Sequence, residues 1–153
     1  MNDDWMRTNR RTVLSLLGAG AIATGGCLSL GRSDSRTVWT FSTDGWVDSS
    51  PAVADSTVYV GSFDSNVYAL DADDGDEQWQ FETGGSVTSS PVVADGTVYV
   101  GSGDNHVYAL DADDGDEQWQ FETDDRVLSS PAVADGTIYI GSGDDNVYAL
   151  TDQ

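Results

Sequence analysis

Short apolar runs alternate along the chain with clusters of Gly, Asp, Asn and Ser, and the whole alternation recurs with a period of about forty residues. Tyr59-Val60-Gly61-Ser62, Tyr99-Val100-Gly101-Ser102 and Tyr139-Ile140-Gly141-Ser142 share one offset. Ser49-Ser50-Pro51, Ser89-Ser90-Pro91 and Ser129-Ser130-Pro131 share another, and Trp39, Trp79 and Trp119 open units 39–78, 79–118 and 119–153. Each run is β-branched or aromatic and bounded by turn residues, which predicts consecutive antiparallel strands and not helices. In the central copy, Gln118-Trp119-Gln120-Phe121-Glu122 alternates polar and apolar and reads as an outer strand. Val87 to Ala94, Thr97 to Ser102 and Val107 to Asp111 read as the other three.

The Thr97-Val98-Tyr99-Val100 run is apolar on both sides of the pleat, so both faces need cover. Sheets stacked face to face around an axis provide it. The proline of each Ser-Ser-Pro cannot donate to a ladder, so its strand should keep one unpaired edge, as the innermost strand of a propeller blade does. The predicted fold is all-β: a partial β-propeller of three four-stranded antiparallel blades over residues 38–153, preceded by a helical signal segment.

The run Ala109-Leu110-Asp111-Ala112-Asp113-Asp114-Gly115-Asp116-Glu117-Gln118-Trp119 resembles the tryptophan-docking motif A-x-D-x-x-T-G-x-x-x-W of the pyrroloquinoline-quinone-type (PQQ-like) β-propellers, with Asp114 where that family usually has Thr. Ala69, Asp71, Gly75 and Trp79 repeat the match one unit earlier, and the third copy stops at Ala149-Leu150-Thr151-Asp152-Gln153. The resemblance implies a propeller superfamily that includes BamB-like and quinoprotein members, and it specifies the blade without specifying an activity. Physical chemistry supports the same turn. Asp71 and Asp111 can accept backbone N–H groups of the turn that follows, Gly75 and Gly115 permit positive φ, and each tryptophan offers a large apolar surface to a neighbouring blade.

At the start of the chain, Arg10 and Arg11 precede an apolar run that reaches about Ala23, short for a membrane span and suited to a signal peptide over residues 1–26. The paired arginine resembles a twin-arginine export signal. Thr24-Gly25-Gly26-Cys27 resembles a lipoprotein cleavage box, with Thr in place of the usual aliphatic residue, and makes Cys27 the expected site of lipid attachment. Residues 27–37 would then hold the lipid anchor and a short tether, placing the repeats at the outer face of the cytoplasmic membrane. The only cysteine in the chain cannot form an intrachain disulfide.

Charge narrows the function further. The chain carries 27 acidic and 6 basic residues, a formal net charge of −21, with no lysine. Such a surface repels phosphate, so nucleic acid is not an expected partner. Self-repulsion of this size needs screening, and at about 1 M salt the Debye length falls to roughly 3 Å. A halophilic, archaeal host and salt-dependent folding are expected.

Three units fall short of the usual 4 to 8 blades of closed propellers. The chain opens on an expected outer strand, Val38 to Thr43, and closes on three inner strands from Val127 to Leu150. Val53, Val58, Tyr59 and Val60 in the first unit and Val133, Ile138, Tyr139 and Ile140 in the last are as apolar as the middle unit, so both ends are expected to be unprotected. Either two chains associate head to tail into a six-bladed ring, or the sequence is a truncated product of a longer propeller gene.

A quinone-dependent oxidoreductase is the opposing functional class, but a catalytic set is hard to assemble from these residues. His106 is the only histidine, and Asn66 and Asn146 stand at its position in the other copies, as expected of a turn-edge polar residue. Asp71, Asp73, Asp76 and Glu82 loosely resemble a calcium loop, yet Gly75 falls where such a loop needs a ligand. No catalytic residue, cofactor or metal is expected. Between copies, the turns that change are Asp44-Gly45-Trp46 against Gly84-Gly85-Ser86 and Asp124-Asp125-Arg126, and Phe63-Asp64-Ser65 against Gly103-Asp104-Asn105 and Gly143-Asp144-Asp145. In a four-stranded meander these emerge at one end. Trp46, Phe63 and Arg126 are therefore the candidate partner-binding residues of a non-catalytic binding or scaffold module.

Overall fold

The computed structural model describes residues 36–153. The expected helical signal segment with Arg10 and Arg11, and the anchor residue Cys27, lie outside the described residues. Eleven strands are present among the described residues, in three antiparallel sheets. The first blade comprises β1 (Ala52–Ala54), β2 (Thr57–Gly61), β3 (Asn66–Asp71) and β4 (Glu77–Glu82). The second comprises β5 (Val92–Ala94), β6 (Thr97–Gly101), β7 (His106–Asp111) and β8 (Glu117–Glu122). The third holds β9 (Ala132–Ala134), β10 (Thr137–Gly141) and β11 (Val147–Thr151), with no fourth strand among the described residues. Blades are thus offset by one strand from the sequence units, because each Trp-led segment finishes the blade before it.

Local chemistry makes each meander. Ala94 pairs with Thr97 across a two-residue turn in which Asp95 (φ 49°) and Gly96 (φ 78°) both adopt positive φ, the geometry that matches strand twist. At the next turn Asn105 (φ 75°) takes the left-handed conformation, and within β7 the ladder to β8 shifts register between Ala109 and Leu110.

The two flanks of the central strand face different neighbours. Val98 and Val100 pack in one cluster with Tyr59, Val67 and Trp79 of the first blade. Tyr99 packs in another with Ile138, Trp119 and Leu150, toward the third blade. The requirement for cover on both faces is met at the middle blade by its two neighbours. Close approach also depends on glycine. A Cβ at Gly61 would sit 2.4 Å from Val87 Cγ1, and one at Gly101 2.4 Å from Val127 Cγ1. Backbone bonds cross at the same places, from Val87 N–H to the Ser62 carbonyl (2.9 Å) and from Val127 N–H to the Ser102 carbonyl (3.0 Å).

Three expectations are corrected. Val38 to Thr43 is not a strand: it lies extended over the first blade, held by Trp39 and Phe41, because a strand exists only with a ladder partner and none reaches it within the described residues. The innermost strand is Val92–Ala94 and not Val87 to Ala94, because the Val87 N–H bonds to the previous blade and the Ser90 N–H to Ser130 Oγ, and only the Ser89 hydroxyl reaches β6, at the Gly101 N–H. The two ends are not equally bare. Val60 and Leu70 are buried beneath Trp39 and Phe41, whereas Tyr139 and Val147 of the third blade are exposed.

Candidate functional site

The docking motifs form the constant end of the blades. In the β3–β4 turn, Asp71 Oδ1 accepts the Asp73 N–H (2.8 Å) and the Asp71 carbonyl accepts the Gly75 N–H (2.9 Å). Asp111, Asp113 and Gly115 repeat both bonds in the β7–β8 turn. Gly75 and Gly115 both sit at φ 78°, and a Cβ on either would lie 2.6 Å from an indole, that of Trp39 at Gly75 and that of Trp79 at Gly115. These glycines are needed twice, for the turn and for the ring that lies on it. Ala69 and Ala109 pair with Trp79 and Trp119 across the outer ladders and are fully buried.

Each indole then reaches the next blade. Trp39 Nε1 donates to the Ala72 carbonyl (2.9 Å) and Trp79 Nε1 to the Ala112 carbonyl (3.0 Å), which Tyr59 Oη also reaches at 3.0 Å. At the last boundary Asp152 stands in the alanine position. Its carboxylate takes over the work of the carbonyl, with Oδ1 accepting Trp119 Nε1 (3.0 Å) and Oδ2 accepting Tyr99 Oη (2.5 Å). Burial and this carboxylate push the Tyr99 hydroxyl up to about 12.

At the opposite end the two variable turns are hydrogen-bonded to one another. Phe63 N–H donates to the Trp46 carbonyl (2.8 Å), Gly103 N–H to the Ser86 carbonyl (2.9 Å) and Gly143 N–H to the Arg126 carbonyl (2.8 Å). An aspartate fastens each pair. Asp104 accepts the Gly84 N–H (2.7 Å), the His106 N–H (3.0 Å) and the Tyr108 hydroxyl (2.5 Å). Burial alone would raise the Asp104 carboxyl, but these bonds hold it below the usual carboxylate value, and Tyr108 is pushed upward in turn. Asp64 with Tyr68 and Asp144 with Tyr148 repeat the pair. His106 Nδ1 lies 2.9 Å from the Asp104 carbonyl, where the Asn66 and Asn146 amides make the matching bonds, so the histidine has the turn-edge role read from the repeat.

On this frame Trp46 and Phe63 come together, their ring centroids 5.9 Å apart at 58°. Trp46 is 76% exposed and Phe63 41%, and with Thr43, Asp44 and Gly45 they line an open cleft. Arg126 is not part of it. It occupies the Trp46 position two blades away, beside Asp125, whose carboxylate lies 4.0 Å from its Nε. Among the described residues no three His, Cys, Asp or Glu side chains converge to hold a metal.

Sequence reasoning missed Asp152 and a serine ladder beside the innermost strands. Ser50 N–H donates to Ser90 Oγ (2.8 Å) and Ser90 N–H to Ser130 Oγ (2.9 Å). The identity of these serines across the copies was the available signal.

A family model described as outer membrane protein assembly factor BamB matches residues 24–153, the whole of the repeat array. The chain belongs to this family. No curated protein matches it in sequence. Among solved structures, BamB from Moraxella catarrhalis superposes with a TM-score of 0.67 at 24% identity, covering 75% of this chain and 36% of its own. The quinohemoprotein alcohol dehydrogenase ADHIIG from Pseudomonas putida HK5 gives 0.62 at 29% identity, covering 69% of this chain and 18% of its own. The computationally designed Ika8 protein gives 0.59 at 17% identity. The chain therefore spans 36% of that BamB and 18% of that dehydrogenase. BamB, a dehydrogenase and a designed protein share this fold, so function must be argued from the loops.

Proposed function

We propose that the chain is a non-catalytic binding or scaffold module of the BamB family, displayed at the outer face of the cytoplasmic membrane. Export would follow the twin-arginine signal at Arg10 and Arg11, and Cys27 would carry the lipid. The observation that supports the binding role is the Trp46–Phe63 pair. Two exposed aromatic rings stand together on turns that are rigidly fastened at their base, and exposed aromatics on fixed turns are characteristic contact anchors. The far end, with its docking turns, is acidic and repetitive.

A photo-crosslinking side chain placed at Trp46 in intact cells tests this, with one at Asp73 on the opposite end as the control. A discrete protein adduct from position 46 and none from position 73 is expected. Equal labelling from both ends, or none from either, rejects the assignment. Mass spectrometry of the mature N-terminus separately reads the anchor: a lipid-modified Cys27 is expected, and a mature product lacking Cys27 rejects it.

A further inference from the structure

We propose that the Trp46–Phe63 cleft takes the guanidinium of an arginine carried on a basic, extended segment of a partner protein. This rests on the binding role given to the two rings and adds the chemistry of what they bind. The lining comes from one connector, residues 43–46, and from Phe63 on the turn that the connector meets, all at one end of the first blade.

In each blade the two variable turns face one another across the same backbone bond. A Cβ at Gly103 would lie 3.1 Å from Ser86 Oγ, and in the middle blade both positions are small. The first blade places Trp46 and Phe63 at those two positions, a paired change from small to aromatic. The middle blade is covered on both flanks, yet Gly84 is exposed and Ser86 only half-buried. This end of a blade therefore stays open to solvent whatever packs beside it, and side chains as large as an indole and a phenyl project from it.

The chemistry of the cleft selects its occupant. Trp46 is 76% exposed, which leaves a ring face to solvent, and an indole face attracts a cation within about 6 Å of its centroid. Asp44 lines the same cleft, and Asp48, two residues beyond Trp46, is exposed. A carboxylate beside an aromatic face favours guanidinium over ammonium, because the planar group stacks on the ring while its edge N–H groups bond to the acid. The site is also preorganised. Asp44 N–H donates to Asp64 Oδ2 (3.1 Å) and Thr43 Oγ1 to the Gly45 carbonyl (2.7 Å), and a Cβ at Gly45 would stand 2.4 Å from Asp64 N, so the connector presses directly on the turn. The cleft is too open to enclose a free small molecule, but a side chain delivered on a larger partner needs no enclosure. A chain with 27 acidic and 6 basic residues complements a basic segment and repels an anionic lipid surface.

Fluorescence anisotropy with the full chain in molar salt tests this, because long-range attraction between an acidic surface and any basic peptide is then screened. The probes are a labelled Gly-Arg repeat peptide and the same peptide with citrulline, which keeps the shape of arginine and lacks its charge. The arginine peptide should bind at least about fivefold more tightly than the citrulline peptide. Trp46→Leu, which keeps an apolar side chain and removes the indole face, should weaken arginine binding by about fivefold without altering the melting of the protein, and Asp44→Asn should weaken it similarly. Ser86→Ala, on the middle blade, should change nothing. Equal, Trp46-dependent binding of both peptides overturns the cationic occupant and leaves the contact role of the rings standing. Arginine binding that Trp46→Leu leaves unaltered, no binding of either peptide, or Trp46-dependent attachment to vesicles of an anionic phospholipid also overturns the proposal, while the adduct formed from position 46 in cells reads the binding role separately.

Discussion

The first and third blades carry nearly the same residues in the same order, yet they are buried differently. Tyr59 is 3% exposed and Tyr139 44%, although each occupies the same place in the same Tyr-x-Gly-Ser strand. Tyr59 faces the second blade and Trp79, whereas the equivalent flank of the third blade has no described neighbour. Val60 faces the other way and is buried at 6% because Trp39 and Phe41 lie across it. Hydrophobic burial in this fold is therefore a property of the boundary between blades and not of the blade. A blade has no core of its own, and its apolar residues are inside only when a neighbour arrives.

The sharpest way to break this comparison is at the tryptophans. Trp79 is buried at 8%, seated on Gly115 and bonded to a backbone carbonyl, so Trp79→Ala should cost about 3 to 5 kcal/mol in denaturant titration. Trp119 is only half-buried and bonds to a side chain at the last boundary, so Trp119→Ala should cost less. Equal costs would show that the two boundaries are equivalent despite their different cover.

Glycine gives the next effect. Gly101→Ala forces a methyl group into Val127 and its carbonyl, with expected overpacking of about 1 to 3 kcal/mol, while Gly141→Ala should be silent in the monomer. If both variants melt like the wild type, the approach of successive blades is looser than the geometry requires.

Tyrosine titration sharpens the contrast between the boundary of the second and third blades and the flank covered by Trp39 and Phe41. Tyr68 and Tyr99 are both raised to about 12, by burial first and then by their aspartate partners. A group whose folded value lies above its unfolded value stabilises the fold fully below the unfolded value, here 10, and loses that contribution as pH rises through about 12. Stability should fall across this alkaline window. Asp152→Asn should move the Tyr99 titration, read by ultraviolet absorbance, back toward the usual value. Tyr59 bonds to the Ala112 carbonyl instead and should not move.

These contrasts also mark what the sequence could and could not disclose. The docking turns were legible because their chemistry is local: Asp71 bonds two residues ahead, and Gly75 must hold positive φ wherever the chain goes next. The grouping of Trp46 with Phe63 followed from meander geometry alone. The segment Val38 to Thr43 has strand composition and was expected to be a strand, but a ladder needs a partner that composition does not reveal. Asp152 holds the position of Ala72 and Ala112 in a third copy that stops one residue later, before the rest of the motif could flag it. Only the positions of Trp119 and Tyr99 show that its carboxylate does what a main-chain carbonyl does elsewhere.

The smallest expected effect separates the first blade from the other two at a single turn. The two-residue hairpins Asp95-Gly96 and Asp135-Gly136 end on glycine at φ 78° and 73°, but the first blade places Ser56 at φ 62° in the same position. A left-handed conformation costs an L-residue roughly 1 to 2 kcal/mol, and glycine returns roughly 0.5 to 1 kcal/mol of that through its greater freedom in the unfolded chain. Ser56→Gly should therefore stabilise the protein by about 0.5 kcal/mol in denaturant titration. The reciprocal change Gly96→Ser should destabilise the second blade by a similar amount, because a Cβ there meets no atom within 4 Å and strain is the only term. A larger loss at Gly96 would mean that the turn is packed in solution, against a neighbour the monomer does not contain.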